Sequence, residues 1–359
     1  MIEARRAGVE AARAREEAPS AIDEFQVRVR HDYDETDSDL RLTARVPVKR
    51  PGEIRAQREI LRAETEIAVS KLEEASLERR VELCFPSVDA LAYEERLRIY
   101  ARYANQQELL YAWNEEWRNS GLIDELRATR FALESKTHIA TQKPMPIRIP
   151  DQILGVLPVI TTIEKKLVLD LDVLRETVGQ HNPSLASGRA TSDRYRALAQ
   201  RAKARGLPWL RFVDVSYEHS SNDKRENSFG GQLAFTVPLG GRQNADHRRY
   251  RHLVAQEFSE TAALLNDQLD RTLDALVEIQ AFESGVGRLR ELDELATRAE
   301  EIAEQWRRKR LAKPSAVAAL LDEALSARSA ILDARERAAI ASCALLSTSG
   351  VALDEWPRR

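Results

Sequence analysis

The same order of secondary-structure signals occurs twice along this chain of 359 residues, and that internal repeat constrains the fold more than any single motif. Each copy has a short charged helical segment, a proline, two stretches in which apolar and polar residues alternate, and a long helical tract. The alternating stretches end in Val46-Pro47 in one copy and in Val237-Pro238 in the other. We therefore expect two related halves, each with one pair of strands among long helices.

The alternating stretches predict two β-hairpins, over residues 25–48 and 209–239. Alternation with a period of two places apolar side chains on one face of a strand and polar side chains on the other. The loops expected within these hairpins are polar and charged. Because an isolated two-stranded hairpin is marginal in water, each one needs further strands or a covering layer.

The first long helical tract covers about residues 52–118, which is roughly 100 Å for a continuous helix. Pro86 lies in its middle. A proline inside a helix costs about 3 kcal/mol and bends or breaks it. We therefore expect a bend there, with Ser87 or Asp89 capping the next segment.

The second long tract covers about residues 242–309 and has the clearest helical periodicity. Apolar residues step by fours and threes from Phe258 to Ile279, and again after a break at Gly285 and Gly287. The stepping returns in a further helix beyond residue 314. Such a narrow seam of small and medium side chains is typical of a coiled coil.

These signals divide the chain into four parts. Residues 1–142 form repeat 1, with a short helix, the first hairpin, the long helix, a tip turn near 119–122 and a return helix. Residues 143–168 form a proline-rich connector. Residues 169–350 form repeat 2, with its own hairpin, a tip turn near 310–314 and a return helix, and residues 351–359 form a tail.

The composition argues against several classes of function. The chain is 31% charged and 6% aromatic, with a net charge of −3, so neither nucleic acid nor a polybasic membrane contact is indicated. Cys84 and Cys343 have no metal or redox spacing, and the sequence alone does not establish a disulfide between them. No apolar run reaches the roughly 18–20 residues that a membrane-spanning helix needs.

Sequence motifs of catalysis are also lacking. There is no phosphate-binding loop, nucleophile elbow or metal-ligand spacing, and the six histidines are scattered along the chain. We expect no catalytic residue, no cofactor and no metal, and hence a protein that is not an enzyme.

Several short motifs, taken in order, carry a resemblance to a known family. They are the strand running into Pro-Leu-Gly-Gly (Phe235–Gly241), the Asn-Pro-Ser-Leu helix start (Asn182–Leu185), and the charged helix that runs into Leu-Pro before a strand. Together with the twofold repeat they cover nearly the whole chain. In this layout the sequence resembles the TolC-like outer-membrane efflux proteins.

The resemblance implies a mainly α fold with two β-hairpins, in which long coiled-coil helical hairpins form two structural repeats. Four strands per protomer contribute to the 12-stranded β-barrel of a homotrimer in the outer membrane of a Gram-negative bacterium, with a periplasmic helical extension. The implied function is a passive exit duct of a tripartite efflux or type I secretion system, for small molecules or proteins. The implied partners are a periplasmic adaptor (membrane fusion) protein, an inner-membrane pump and outer-membrane lipid.

The resemblance also assigns residues to the periplasmic tip, where the two turns constrict the tube and dock the adaptor. These residues are Trp117, Asn119, Gly121, Leu122, Asp124, Glu125, Arg308, Arg310, Lys313 and Pro314. Acids at the first turn and bases at the second suit closure by charge pairs between neighbouring protomers. The alternative is that they are ordinary solvated helix ends, placed by the helix dipole.

In the implied barrel, the apolar face of each hairpin contacts lipid. Its residues are Phe25, Val27, Val29, Leu40, Leu42, Val213, Val215, Tyr217, Leu233, Phe235 and Val237. The opposite face lines the lumen, since an arginine costs several kcal/mol on the lipid side. Its residues are Arg28, Arg30, Arg41, Arg45, Asp214 and Glu218. These arginines either favour anionic solutes or are simply polar residues that a water-filled lumen accepts.

The sequence departs from the family pattern at its start. It has no signal peptide, and the helix that precedes the first short helix in similar proteins is missing. We expect an N-terminally truncated member, whose outer-membrane localisation requires a signal that this sequence does not contain. Two alternatives to a duct stay open: a soluble coiled-coil scaffold or adaptor, and a non-functional truncated homologue.

Overall fold

The computed structural model describes residues 2–16, 26–33, 38–48, 50–121, 170–220, 228–238 and 241–356. The return helix expected up to about residue 140 and the proline-rich connector lie outside these ranges. The described elements are α1 (Ile2–Glu16), β1 (Gln26–Tyr33), β2 (Ser38–Pro47), α2 (Pro51–Asn119), α3 (Leu171–His181), α4 (Pro183–Arg205), β3 (Trp209–Ser220), β4 (Ser228–Thr236), α5 (Arg242–Lys309) and α6 (Pro314–Ser349).

The elements belong to two compact units, and α2 and α5 each contribute to both. The first unit holds residues 1–76 and 182–267, and the second holds residues 77–181 and 268–359. Each unit therefore takes part of both sequence repeats. The repeat boundaries themselves stay a prediction.

In the first unit, both predicted hairpins are present and they pair with each other. The four strands form one antiparallel sheet in the order β1-β2-β3-β4. The central pairing aligns Arg45 with Asp214 and Leu42 with Tyr217. The first hairpin thus finds its additional strands in the second hairpin of the same chain.

Helix packing in the first unit depends on small residues. The buried residues of α4 include four alanines. Where α2 passes α4, a Cβ at Gly52 would lie 3.3 Å from the Cβ of Ala204, so the two helices approach closely. The expected Asn-Pro start of α4 is confirmed, because the Asn182 Oδ1 accepts the backbone N–H of Ser184 at 3.0 Å and of Leu185 at 3.2 Å.

The new helix start expected after Pro86 is wrong, since α2 is a single helix over Pro51–Asn119. The bend expected at Pro86 stays a prediction. Proline removes one backbone hydrogen bond, but packing holds the turn in place. Phe85 and Val88 lie in a cluster with the two cysteines. The Ser87 hydroxyl donates back to the carbonyl of Leu83, so Ser87 bonds within the helix and does not cap a new one.

The long helix predicted over about residues 242–309 is present as α5 (Arg242–Lys309), and the break in its apolar stepping at Gly285 and Gly287 does not interrupt it. A glycine inside a helix costs only about 1 kcal/mol relative to alanine. The turns on either side are held by buried Ile279 and Ala296. Packing of the flanking turns outweighs this cost.

The second unit has its own apolar core. One cluster joins Tyr103, Leu110 and Trp113 of α2 to Ala303 of α5 and Leu321 of α6. A second joins α3, α5 and α6 to Val351, Leu353 and Trp356, so part of the predicted tail is packed. A disulfide between Cys84 and Cys343 links α2 to α6 across 259 residues of sequence.

A buried charge network accompanies this core. The carboxylate of Glu300, which is 4% exposed, accepts the Tyr103 hydroxyl at 2.7 Å and the Arg328 Nε at 3.3 Å. Arg102 lies 2.7 Å from the other carboxylate oxygen and forms an ion pair with it. Burial and the bond to Glu300 raise the pKa of the Tyr103 hydroxyl. Removing one member would leave buried charge uncompensated.

Candidate functional site

The strand register sorts the sheet into two unlike faces. On one face, Val29 pairs with Leu42, Leu42 with Tyr217, and Tyr217 with Phe229. On the other face, Arg45 pairs with Asp214, and Asp214 with Gln232. The predicted separation into apolar and polar faces therefore continues across all four strands.

The apolar face lies open. Val29 is 64% exposed, Val215 56% and Phe235 67%. The described residues show no layer over it, although Tyr217 and Phe229 pack their rings 4.9 Å apart within it. Of the predicted lipid-facing set, Val27, Val29, Leu40, Leu42, Val213, Val215, Tyr217, Leu233 and Phe235 lie in the strands, Val237 follows β4, and Phe25 is outside the described residues.

The polar face is held by charge pairs between the two hairpins. The Arg45 guanidinium donates both Nε and a terminal nitrogen to the two carboxylate oxygens of Asp214, each at 2.8 Å. It also lies 4.0 Å from the ring centroid of Phe212. Arg41 lies 3.7 Å from Glu218. Arg41 and Arg45 of β2 thus pair with the two predicted lumen acids. The other two predicted lumen arginines, Arg28 and Arg30, lie on the neighbouring strand β1.

The two outer strands each have one partner. Within the described residues, β1 pairs only with β2, and β4 only with β3. Each outer strand therefore has a row of backbone N–H and C=O groups that no described strand pairs. A long unprotected edge is a template for pairing with another chain.

The second candidate region is the turn between α5 and α6, which lies where the sequence placed it. Arg310 takes a left-handed conformation with φ of 53°, and the N–H of Leu311 bonds to the carbonyl of Trp306 at 3.0 Å. Lys313 is exposed and precedes α6, whereas Pro314 is fully buried. Pro314 is thus both the first residue of α6 and a buried residue.

Arg310 is paired within its own chain. Its guanidinium donates to Glu116 of α2 at 2.8 Å, and both side chains are mostly exposed. The sequence analysis expected its partners among the acids of the first turn in a neighbouring protomer. Of those acids and their neighbours, Leu122, Asp124 and Glu125 lie outside the described residues.

Close to this turn, α5 has a tight cluster of opposite charges. Arg307 donates to Glu304 at 2.9 and 2.7 Å, and Arg308 donates at 2.6 Å. The bonds from Arg307 and then Arg308 lower the pKa of the Glu304 carboxyl to about 2. Arg308, predicted for adaptor docking, is thus also part of a local ion cluster.

At the end of α2, the predicted tip residues divide into packed and exposed groups. Trp117 is half-buried, and its ring meets Trp113 edge-on at 5.8 Å. Asn119 and Gly121 are exposed, and Gly121 has a φ of 73°, which suits glycine at a turn.

Sequence reasoning missed several residues of these two regions. Phe229 is the most exposed large apolar side chain of the apolar face, and the predicted lipid-facing set did not include it. Phe212 was not among the predicted lumen residues, because its contact with Arg45 depends on the pairing between the two hairpins. Glu116 has no local signal that identifies it as the partner of Arg310.

Metal clusters and membrane-spanning helices are absent from the described residues. None of them forms a group of three or more His, Cys, Asp or Glu side chains arranged to hold a metal. Over the same part of the chain, no helix is both long and apolar enough to cross a membrane.

No protein-family model matches the sequence, and no curated protein matches it. Solved structures match by fold. The outer membrane protein VceC of Vibrio cholerae has a TM-score of 0.65 at 15% identity, over 98% of this chain and 92% of that one. The outer-membrane channel OprN has a TM-score of 0.65 at 15% identity, over 97% and 86%. CusC, described for its transmembrane channel formation, has 0.64 at 12% identity, over 97% and 88%.

At these identities the likeness establishes the fold. The predicted fold, mainly helical with four antiparallel strands, is confirmed, and so is the predicted resemblance to TolC-like outer-membrane channels. Among the structures that match, OprN is described as an outer-membrane channel.

Proposed function

We propose that this chain is one protomer of a homotrimeric outer-membrane channel, the passive exit duct of a tripartite efflux or secretion system. One observation carries the proposal above all: the described residues form a four-stranded sheet whose apolar face none of them covers and whose two outer strands have no further partner strand among them. In water, such a face and such edges are liabilities. In a closed barrel surrounded by lipid, the face contacts acyl chains and the edges pair.

Strand dimensions support a membrane-spanning sheet. The four strands have 8, 10, 12 and 9 residues, and a tilted strand needs about 9–11 residues to cross a bilayer. Four strands cannot close on themselves, because small barrels need about eight or more. Three copies would supply twelve strands and remove every edge, with the polar face toward the lumen.

The disulfide supports a location outside the cytoplasm. Disulfides persist in the bacterial periplasm and on cell surfaces, and are rare where thiols are kept reduced. The bond between Cys84 and Cys343 is buried in the helical second unit. We therefore place that unit in the periplasm and the sheet in the outer membrane.

In this proposal the protein performs no catalysis. A periplasmic adaptor and an inner-membrane pump deliver the solute, and the turns at residues 119–122 and 310–314 form the tip that constricts the tube and meets the adaptor. The ion pair of Arg310 with Glu116 supports a role in holding the tip. Replacing both Arg310 and Lys313 by Ala should raise single-channel conductance, and unchanged conductance would remove the gate from the proposal.

Cross-linking tests the trimer. A variant with Val27→Cys on β1 and Phe235→Cys on β4, treated in detergent with a flexible bismaleimide, should give bands up to three protomers and none beyond. Both positions are exposed, whereas the native cysteines are buried in their disulfide and are protected from the reagent. Planar-bilayer recordings of the uncross-linked protein should show stable channels.

The matched control places both cysteines within one sheet. Ala44 and Val215 are partners in the register of β2 and β3, so Ala44→Cys with Val215→Cys should cross-link inside a single protomer and stay monomeric. Only monomers from the edge-strand variant, or a ladder that continues past three, would contradict the proposed closure.

A further inference from the structure

The helices that meet the sheet bear a concentration of positive charge at one end. Because the strands are antiparallel, the end of β2, the start of β3 and the end of β4 lie at the same end of the sheet, where Pro47 aligns with Phe212 and Trp209 with Thr236. At that end of the sheet α2 begins, α4 ends and α5 begins. We call the Lys and Arg residues of 50–59, 196–205 and 242–252 the basic collar.

Direct contacts bring these three helix ends together. The Trp209 indole donates to the carbonyl of Val48 at 3.1 Å, and Arg50 donates to the carbonyl of Ala204 at 3.0 Å. The His247 ring lies 3.0 Å from the carbonyl of Ala199. The collar is therefore one surface within the first unit, directly beside the sheet.

The charge imbalance of this surface is local. The collar ranges contain eleven Lys or Arg residues against three Asp or Glu residues, whereas the whole chain has 55 against 58. A chain that is slightly acidic overall thus concentrates its positive charge beside the sheet. No single stretch of the sequence is polybasic, because these residues come from three separate segments.

Internal ion pairs neutralise only part of the collar. Glu53 is shared by Arg201 and Arg205, Arg55 pairs with Glu59, and Arg196 pairs with Asp193. Within the described residues, Arg248, Arg249 and Arg251 form no ion pair, and all three are exposed.

The helix dipole does not explain the placement either. Cations are favoured at the end of α4, where Lys203 and Arg205 occupy the last turn. At the start of α5 they are disfavoured, yet its first turn has no acidic residue and begins with Arg242. Within the described residues, the first turn of α5 offers no acidic side chain that compensates for this unfavourable location.

We propose that the basic collar binds the anionic phosphate headgroups of the membrane surface next to the sheet. This rests on the proposed function, because the sheet must be in a bilayer for its helix-bearing edge to reach the headgroups. The uncovered apolar face of the sheet then lies directly beside the basic collar. Across a bilayer surface, the apolar acyl chains and the anionic headgroups follow one another in the same order. The collar selects net-negative lipids over zwitterionic ones that carry the same phosphate.

Trp209 reports on lipids at this position. The other four tryptophans, at 113, 117, 306 and 356, belong to the second unit. We would place the full chain in phosphatidylcholine vesicles and replace part of the lipid by brominated phosphatidylglycerol or brominated phosphatidylcholine. The ratio of quenching by the two lipids gives their relative binding constant, and Trp209→Phe identifies the signal of Trp209.

The wild-type chain should prefer phosphatidylglycerol by at least about tenfold at low salt, because each basic side chain near an anionic surface contributes about fivefold in affinity. Replacing Arg248, Arg249 and Arg251 by Gln should reduce the preference to near one. The control replaces Arg288, Arg290 and Arg335 of the second unit, which are also exposed, and should leave the preference unchanged. High salt should weaken the preference in the wild type.

Two failures are distinguishable. Equal quenching by both lipids in the wild type, or a preference that survives the collar substitutions, would overturn the collar as a lipid site and leave the channel intact, as conductance would show. No quenching of Trp209 by either lipid, together with no channels, would overturn the proposed function and this inference with it.

Discussion

The two units of the chain differ in how completely their apolar surfaces and polar groups find partners within the described residues. In the second unit, apolar side chains from four elements and the tail close into clusters, a disulfide ties α2 to α6, and the buried carboxylate of Glu300 has its partners within the chain. In the first unit, the described residues leave the apolar face of the sheet uncovered and the outer edges of β1 and β4 without a partner strand. On the proposed function, this difference is the reason why the first unit would need lipid and further copies, whereas the second unit finds its contacts within the chain.

We expect the largest effect from a charge placed on the uncovered apolar face of the sheet. Val215 lies mid-strand on that face, so Val215→Arg should cost about 2–4 kcal/mol per protomer in a bilayer, and about three times as much per trimer. Folding yield in vesicles, measured by resistance to protease, should fall sharply. Its neighbour Ser216 points to the polar face, and Ser216→Arg should insert normally; equal yields for both would contradict the assignment of faces.

The next effect tests the closed core of the second unit. Arg328→Ala removes a cation from beside Glu300, which is 4% exposed. We expect a loss of about 3–5 kcal/mol in the free energy of unfolding, because a buried charge is left short of partners. Denaturant titration in detergent measures it. Arg298→Gln breaks only an exposed pair on α5 and should change stability by less than about 0.5 kcal/mol.

Removal of the disulfide should have an effect of similar or smaller size. Replacing Cys84 and Cys343 by Ser should lower the free energy of unfolding by about 2–5 kcal/mol, since the bond closes a very long loop in the unfolded chain. Thermal unfolding with and without reductant is the measurement. Reductant should destabilise the wild type and leave the double variant unchanged; a wild type indifferent to reductant after unfolding would count against the bond.

The smallest effect concerns acid. The pKa of Glu304 lies at about 2 in the folded chain, below its ordinary value of 4.5. Its pairs with Arg307 and Arg308 therefore stabilise the fold above pH 4.5, and this stabilisation is lost as the pH falls toward 2. Because Glu304 is partly exposed, we expect about 1 kcal/mol. In thermal melts between pH 4.5 and 2, the melting temperature of Glu304→Gln should fall less with pH than that of the wild type. Glu294→Gln on the same helix should show the same pH dependence as the wild type.

The strands of the first unit were largely predictable from the sequence, because the alternation that marks a strand involves residues close together along the chain. Alternation with a period of two located both hairpins and sorted Val29 from Arg30 and Val215 from Asp214. The pairing of β2 with β3 was not predicted, because no local signal relates segments about 170 residues apart. The same holds for Glu116 as the partner of Arg310.

In the second unit, local rules failed where packing decided the outcome. Pro86 and the glycine pair of α5 are helix-breaking signals, yet the helices continue because their flanking turns are buried. The disulfide and the contacts of Glu300 join residues far apart along the chain, and one sequence does not show such contacts.

The span of the disulfide has a consequence for how the chain matures. If the chain is exported as the proposed function requires, Cys84 leaves the exporting machinery long before Cys343, 259 residues later, so the disulfide can form only after nearly all of the helical body has been delivered. With two cysteines in the sequence, a single chain has only one possible pairing. Formation of this cross-link therefore requires an oxidant but no isomerase, and the appearance of the oxidised species would serve as a clock for complete translocation.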